Sequence, residues 1–197
     1  MLKPLNPSFE LKVSTHESKL NNVRLAFPAL FEPKTVNGEG EPRFSAAFIF
    51  PPDHPCVKEI EAAIAQVDKE KWGPKAESVL KSLRTGLKIC LHDGDEKAEY
   101  EGYPGNKFVS ASNKARPLVI DRDRSPLTAA DGKPYAGCYV NATIDIWAMD
   151  NNFGKRINAS LGGVQFCRDG DAFAGGGVAT EDDFDDVSEG ADAESLI

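Results

Sequence analysis

A chain of 197 residues, 41% hydrophobic and 9% aromatic, suits one domain with a buried core, and no stretch approaches the roughly 20 apolar residues of a membrane span. The formal charge of −8 is unevenly placed: no Lys or Arg follows Arg168, eight acids lie between Glu181 and Glu194, and without them 23 acids face 23 bases. The acidity therefore belongs to a tail and does not exclude a polyanionic partner for the body.

Residues 1–19 are mixed and polar, lack the apolar run of a signal peptide, and read as an N-terminal arm. From Asn22 to Phe31 an alternation begins, with Val23, Leu25, Phe27, Ala29 and Phe31 on one face, and Pro28 marks a bulge or an edge. Asn37-Gly38 and Gly40 suit a hairpin turn into a returning strand over Arg43–Phe50. Pro51-Pro52 ends that strand. Asp53 is the expected N-cap of a helix whose Val57, Ile60, Ile64 and Val67 share one face, stopping near Trp72 at Gly73-Pro74. A second short helix follows over Ala76–Leu83, with Gly86 past its end.

Residues 88–107 read as a strand start and a long loop, Lys107–Ala111 and Pro117–Ile120 as short strands, and 121–134 as another loop. The clearest strand alternates Cys138, Val140, Ala142, Ile144 and Ile146 with Tyr139, Asn141, Thr143, Asp145 and Trp147. A turn at Asp150–Gly154 returns it through Lys155–Cys167, with Ile157, Ala159 and Leu161 inward and a break or bulge at Gly162-Gly163. Several strands, long connections and an inserted helix predict a mainly β fold, an OB-like Greek-key barrel over 20–174. Gly175-Gly176-Gly177 then hinges into an acidic tail over 175–197, too polar to fold alone.

Chemistry-bearing motifs are sparse. The sequence has no phosphate-cradling G-x-x-x-x-G-K-[ST] loop, no G-x-S-x-G elbow and no H-E-x-x-H helix. Cys56, Cys90, Cys138 and Cys167 include no C-x-x-C pair and sit among apolar neighbours, so they read as reduced core residues of a cytoplasmic protein. His16, His54 and His92 are not at ligand spacing, and no metal or cofactor is expected. The patch Asp93, Asp95 and Glu96 is the one enzyme-like feature. It could hold Mg²⁺ for phosphodiester hydrolysis, but a solvated loop is the favoured reading.

Single strands of nucleic acid are held by cations that follow phosphates and by aromatic faces on which bases stack. Both occur here, interleaved: Lys88, Tyr100, Tyr103, Lys107, Phe108, Lys114 and Arg116 in mid-chain, and Arg43, Tyr139, Trp147, Lys155 and Arg156 on outward strand positions. Tyr100, Tyr103 and Trp147 lead as stacking residues.

The run VRLAFPALFEPK (23–34) and the following PRFSAAFIFP resemble the opening of a family of bacteriophage single-stranded DNA-binding proteins with an OB fold. The likeness continues through GDEKAEYEGY, KFVSASNKARPLVID, YAGCYVNATIDIWAMDN and GKRINASLGGVQFCRDGD, and covers most of 20–176 in order. The plan is similar to that of the single-stranded DNA-binding protein of phage T7, an OB body with an acidic tail. The resemblance implies non-catalytic, sequence-tolerant coating of single-stranded DNA in phage replication, recombination or repair. It also implies a tail (Asp182, Asp183, Phe184, Asp185, Asp186, Leu196 and Ile197) that competes for the groove and recruits replication or recombination proteins. The better-known tails end in an aromatic residue, whereas this one ends in Ile197. A homodimer is left open. The rival readings are an acidic mimic of DNA that binds a protein and, behind it, the Mg²⁺ nuclease.

Overall fold

The computed structural model describes residues 15–36 and 38–173. The hinge and tail (175–197) and the first 14 residues of the arm lie outside the described residues. Among the described residues seven strands form: β1 (Thr15–Val36), β2 (Glu39–Phe50), β3 (Leu91–Asp93), β4 (Lys107–Asn113), β5 (Leu118–Ile120), β6 (Tyr139–Asn151) and β7 (Gly154–Arg168). The helices are α1 (Cys56–Trp72) and α2 (Ala76–Thr85), joined by a 3-10 turn at Gly73–Lys75. No helix among the described residues is long and apolar enough to cross a membrane.

Five strands close into a barrel in the order β1-β2-β4-β7-β6 and back to β1, every pairing antiparallel except β4 with β7. That is the Greek-key barrel anticipated from the strand count, with the parallel contact of an OB fold. The alternation of β6 survives in full, and that of β7 up to Leu161. Val140, Ala142, Ile144, Ile146, Ile157, Ala159 and Leu161 fill the barrel with Leu20, Val23, Leu25 and Phe48. Ile60, Ala63, Ile64 and Val67 of α1 belong to the same core, so the helix packs its apolar stripe against β1, β6 and β7.

Bulges shape this barrel. Between Ala26 and Ala29 β1 advances three residues against two on β2, at the Phe27-Pro28 position the sequence marks. In β7 the extra residue is Gly162, opposite Thr143 and Ile144. A Cβ at Gly162 would lie 2.8 Å from Thr143 Oγ1, so a larger residue there would have to displace the Thr143 side chain. A third bulge, at Asn21-Asn22, bends β1 so that its first half pairs with β6 and its second half with β2.

Two expectations shift. The sequence places the arm through residue 19, but Thr15–Lys19 already pair with Trp147–Thr143 of β6, because the sheet edge accepts polar alternation as readily as apolar. Asp53 does not cap α1. The cap is Pro55, without a side-chain bond. His54 compensates in part. Its Nδ1 accepts from the Cys56 backbone N–H at 3.1 Å while its Nε2 donates to Asn21 O at 3.0 Å, tying the helix start to β1. All four cysteines are free, three of them buried, and burial pushes the Cys56 and Cys90 thiols up to about 12, far from reactive thiolate.

Candidate nucleic-acid interface

The barrel's outer wall is built where β4 and β7 meet. Their one ladder contact is Ser112 with Ser160. Below it the strands splay, and residues 88–93 fill the wedge: Ile157 N donates to Lys88 O, Cys90 N to Ile157 O, and Ser110 N to Cys90 O. Since Val109, Ala111, Ile157, Ala159, Ile146 and Ala148 point into the core, their alternates point out. The wall therefore presents Ser110 and Ser112 from β4, Arg156, Asn158 and Ser160 from β7, and Trp147 and Met149 from β6. Hydrogen bonds link it sideways. Trp147 Nε1 donates to Ser160 Oγ at 2.9 Å, and Arg43 Nε of β2 donates to Ser112 Oγ at 3.1 Å. An indole and a guanidinium are thus held at opposite ends of one floor of small hydroxyls.

Cations stand around this floor. Lys155 and Arg156 are exposed where β7 begins. Lys88 and Lys155 line one open cavity of about 490 Å³ against Ser78, Ser82 and Gly86. At the other end Arg116 Nη2 donates to Phe31 O, and Lys114 pairs with Glu41 at 2.5 Å, which holds the Glu41 carboxyl below its usual range. Both partners are exposed, so this ion pair is weak and a phosphate can exchange for the carboxylate. Lys107 stands apart from the floor, half-buried in a smaller cavity with Glu61, Arg84, His92 and Glu96.

The mid-chain aromatics are arranged differently. Tyr103 and Phe108 are each only 1% exposed, in a second apolar cluster with Ala26, Ala47, Ile49, Ala136 and Phe173 on the outside of β1 and β2. The sequence puts both on the contact face; the loop 94–106 and Phe173 cover them, so their faces are closed to a base. Tyr100 remains open at 42%. Tyr139 is half-buried, with the Arg168 guanidinium 3.6 Å above its ring and Arg24 at 5.8 Å. That cationic lid occupies the ring face a base would use.

The acidic patch is structural. Asp93 accepts from Asp95 N at 3.2 Å, Glu96 accepts from Asp93 N at 3.4 Å, and Asp95 accepts from Gly105 N at 2.9 Å. Together they cap a 3-10 turn and fix the loop that roofs Phe108. Among the described residues no group of three or more His, Cys, Asp or Glu is placed to hold a metal ion.

Three side chains escape the sequence reading. Phe153 is 92% exposed at the tip of the β6–β7 hairpin, where the sequence marks only a turn. Alternation points Phe27 inward, but the bulge at Pro28 reverses the pattern and leaves it 44% exposed beside Tyr100. The reversal is legible, since a bulge flips every face beyond it. His92 lies nearly parallel to Phe108, centroids 4.9 Å apart, with Nδ1 hydrogen-bonded to Glu96 at 3.2 Å. Burial lowers its pKa, against the pull of Glu96 and with the help of nearby Lys97 and Arg156, so the ring is neutral at pH 7.

Several known proteins are similar to this chain. The family described as the single-stranded DNA-binding protein of Enterobacter phage Enc34 matches residues 16–196. Protein p50 of Acyrthosiphon pisum secondary endosymbiont phage 1 is 56% identical over 181 residues, 90% of this chain and 97% of that protein. The Enc34 protein in complex with single-stranded DNA superposes with a TM-score of 0.69 at 27% identity, covering 80% of this chain and 89% of that one. A second structure of the Enc34 protein gives a TM-score of 0.65 at 29% identity, covering 86% and 90%. The gp2.5 single-stranded DNA-binding protein of bacteriophage T7 shares the fold, with a TM-score of 0.54 at 11% identity over 86% of this chain and 93% of that one.

Proposed function

The chain belongs to the family of phage single-stranded DNA-binding proteins represented by that of Enterobacter phage Enc34, and from that premise we propose that its β2–β4–β7–β6 wall binds single-stranded DNA. The observation that carries this reading is the row Arg43–Ser112–Ser160–Trp147, which sets a cation and an indole on one open floor with cations at both ends.

Phosphates pair with Arg156, Lys155 and Lys88 at one end and with Arg43, Lys114 and Arg116 at the other. Bases stack on Trp147 and, at the hairpin tip, on Phe153. The floor's hydroxyls and the Asn158 amide accept and donate alike, so they do not discriminate between bases. No bond is made or broken. The protein coats and protects the strand inside the bacterial host during replication, recombination or repair. The acidic tail, Asp182 to Asp186 with Phe184, competes for the same cations and, once displaced, recruits replication or recombination proteins through Phe184 or Leu196-Ile197.

Fluorescence anisotropy of a labelled dT oligonucleotide tests this reading at several salt concentrations. Binding should weaken steeply with salt as counterions are released, and a duplex should compete poorly. Removing residues 178–197 should tighten binding most at low salt; unchanged affinity there would remove the competing tail from the account.

A further inference from the structure

Phe27 is exposed although its backbone sits at φ 46°, a left-handed conformation that a bulky residue adopts only at a cost. The bulge alone would be served better by glycine or asparagine, and an exposed position by a polar side chain. Instead an aromatic ring is held out from β1, in a T-shaped contact with Tyr100 at 5.0 Å and with Tyr103 6.2 Å away. The Tyr103 hydroxyl, close enough to Tyr100 to feel its charge, is buried and has no hydrogen-bond partner among the described residues. Burial, and Tyr100 beside it, push that phenol up to about 12, so it stays a neutral donor and acceptor. A phenylalanine at 103 would fill the same space without the unmet hydroxyl.

The rings do not stop there. Tyr103 lies 4.9 Å from Phe108, and Phe108 lies 4.9 Å from His92, which neighbours Arg156 on the wall. Lys97 Nζ sits 5.3 Å from the Phe108 ring centroid. A ridge of rings, its Tyr103 and Phe108 members covered by the loop 94–106, thus runs from the wall to Phe27, with Lys97 beside Phe108.

We propose that Phe27 and Tyr100 form a nucleobase-stacking station separate from the wall, with the Tyr103 hydroxyl bonding the edge of the stacked base. This rests on the reading of the wall as a DNA-binding surface and extends the strand's path across the ridge, with Lys97 meeting a phosphate on the way. A base is the occupant whose chemistry matches. It offers a flat face to Phe27 and a polar edge to the hydroxyl, whereas an apolar protein side chain would leave the hydroxyl unpaired.

The test uses the full chain and dT oligonucleotides of increasing length. Wild-type affinity should step up once the strand is long enough to span both sites. Phe27→Leu should remove that step, roughly a tenfold loss on long oligonucleotides, and leave the shortest binding one unaffected. Tyr103→Phe should lose severalfold on the same long strands while its melting temperature stays equal or rises. On the unaltered protein, dT carrying 5-iodouracil should photo-cross-link to peptides containing Phe27 or Tyr100, a readout that needs no variant to fold. Wild-type binding with both variants unaffected and no such adduct overturns the station and leaves the wall intact. No binding by the wild type at any length overturns the wall, and the station with it.

Discussion

Ser110 and Ser112 of β4 face an open wall, while Phe108, on the same side of the same strand, lies under a roof made by the loop 94–106 and Phe173. Strand alternation assigns all three to the outside of the barrel. What separates them is a cover supplied from elsewhere in the chain, anchored where Gly94 is buried and its N–H donates to Asn106 O. A Cβ on Gly94 would collide with the Tyr103 carbonyl, so loop and roof form one packed unit. Outward direction and solvent exposure are thus separate properties, and only the first follows from period-two patterning.

The comparison can be broken most forcefully at the roofed end. Phe108→Ala should cost about 3–5 kcal/mol in urea unfolding, the penalty for emptying a packed aromatic site. A loss below about 1 kcal/mol would mean that the cluster is open like the wall. At the open end the same scale of change should leave stability alone. The double variant Arg43→Ala with Arg156→Ala should stay within about 1 kcal/mol of wild type in unfolding. Its dT binding should weaken, and the slope of log affinity against log salt should fall by roughly 1.4, for two phosphate contacts on a single strand. An unchanged slope would move the contact face elsewhere.

A sharper test lies where wall and ridge meet, at His92. Its folded pKa is lowered, so the free protein holds it neutral at pH 7. A phosphate beside Arg156 would favour the protonated ring, so the complex takes up protons and affinity should rise as pH falls from about 7.5 towards 6, several-fold at most. His92→Gln should flatten that dependence. Stability runs the other way. Below the unfolded value of 6.5 the unfolded chain binds more protons than the folded one, so His92 contributes a loss of stability as pH falls through that value.

How much of this is legible in the sequence varies with the kind of interaction involved. The barrel strands are legible because β6 alternates throughout and β7 on either side of its bulge, and Pro28 and Gly162 announce the bulges. Helix α1 is legible from the spacing of Ile60, Ile64 and Val67. Arg43, Arg156 and Trp147 follow from outward parity alone, and the structure places them on one wall. The misplacements have long-range causes. Tyr139 is covered by Arg168, 29 positions away, and Tyr103 and Phe108 are closed off by Phe173 together with the packing of the loop 94–106. Phe27 differs, since its signal is local: the bulge that Pro28 marks reverses the faces around it. The start of β1 is hidden because Thr15–Lys19 gain their order from β6, on the far side of the sequence.

The most direct test of the wall as the DNA-binding face is fluorescence of the Trp72→Phe protein, in which Trp147 is the one remaining tryptophan. Titration with dT should quench or shift the Trp147 emission to saturation, along the same curve as the anisotropy of the labelled strand, and added salt should reverse both together. A strand that binds by anisotropy while Trp147 emission stays unchanged would place the DNA on another face of the barrel.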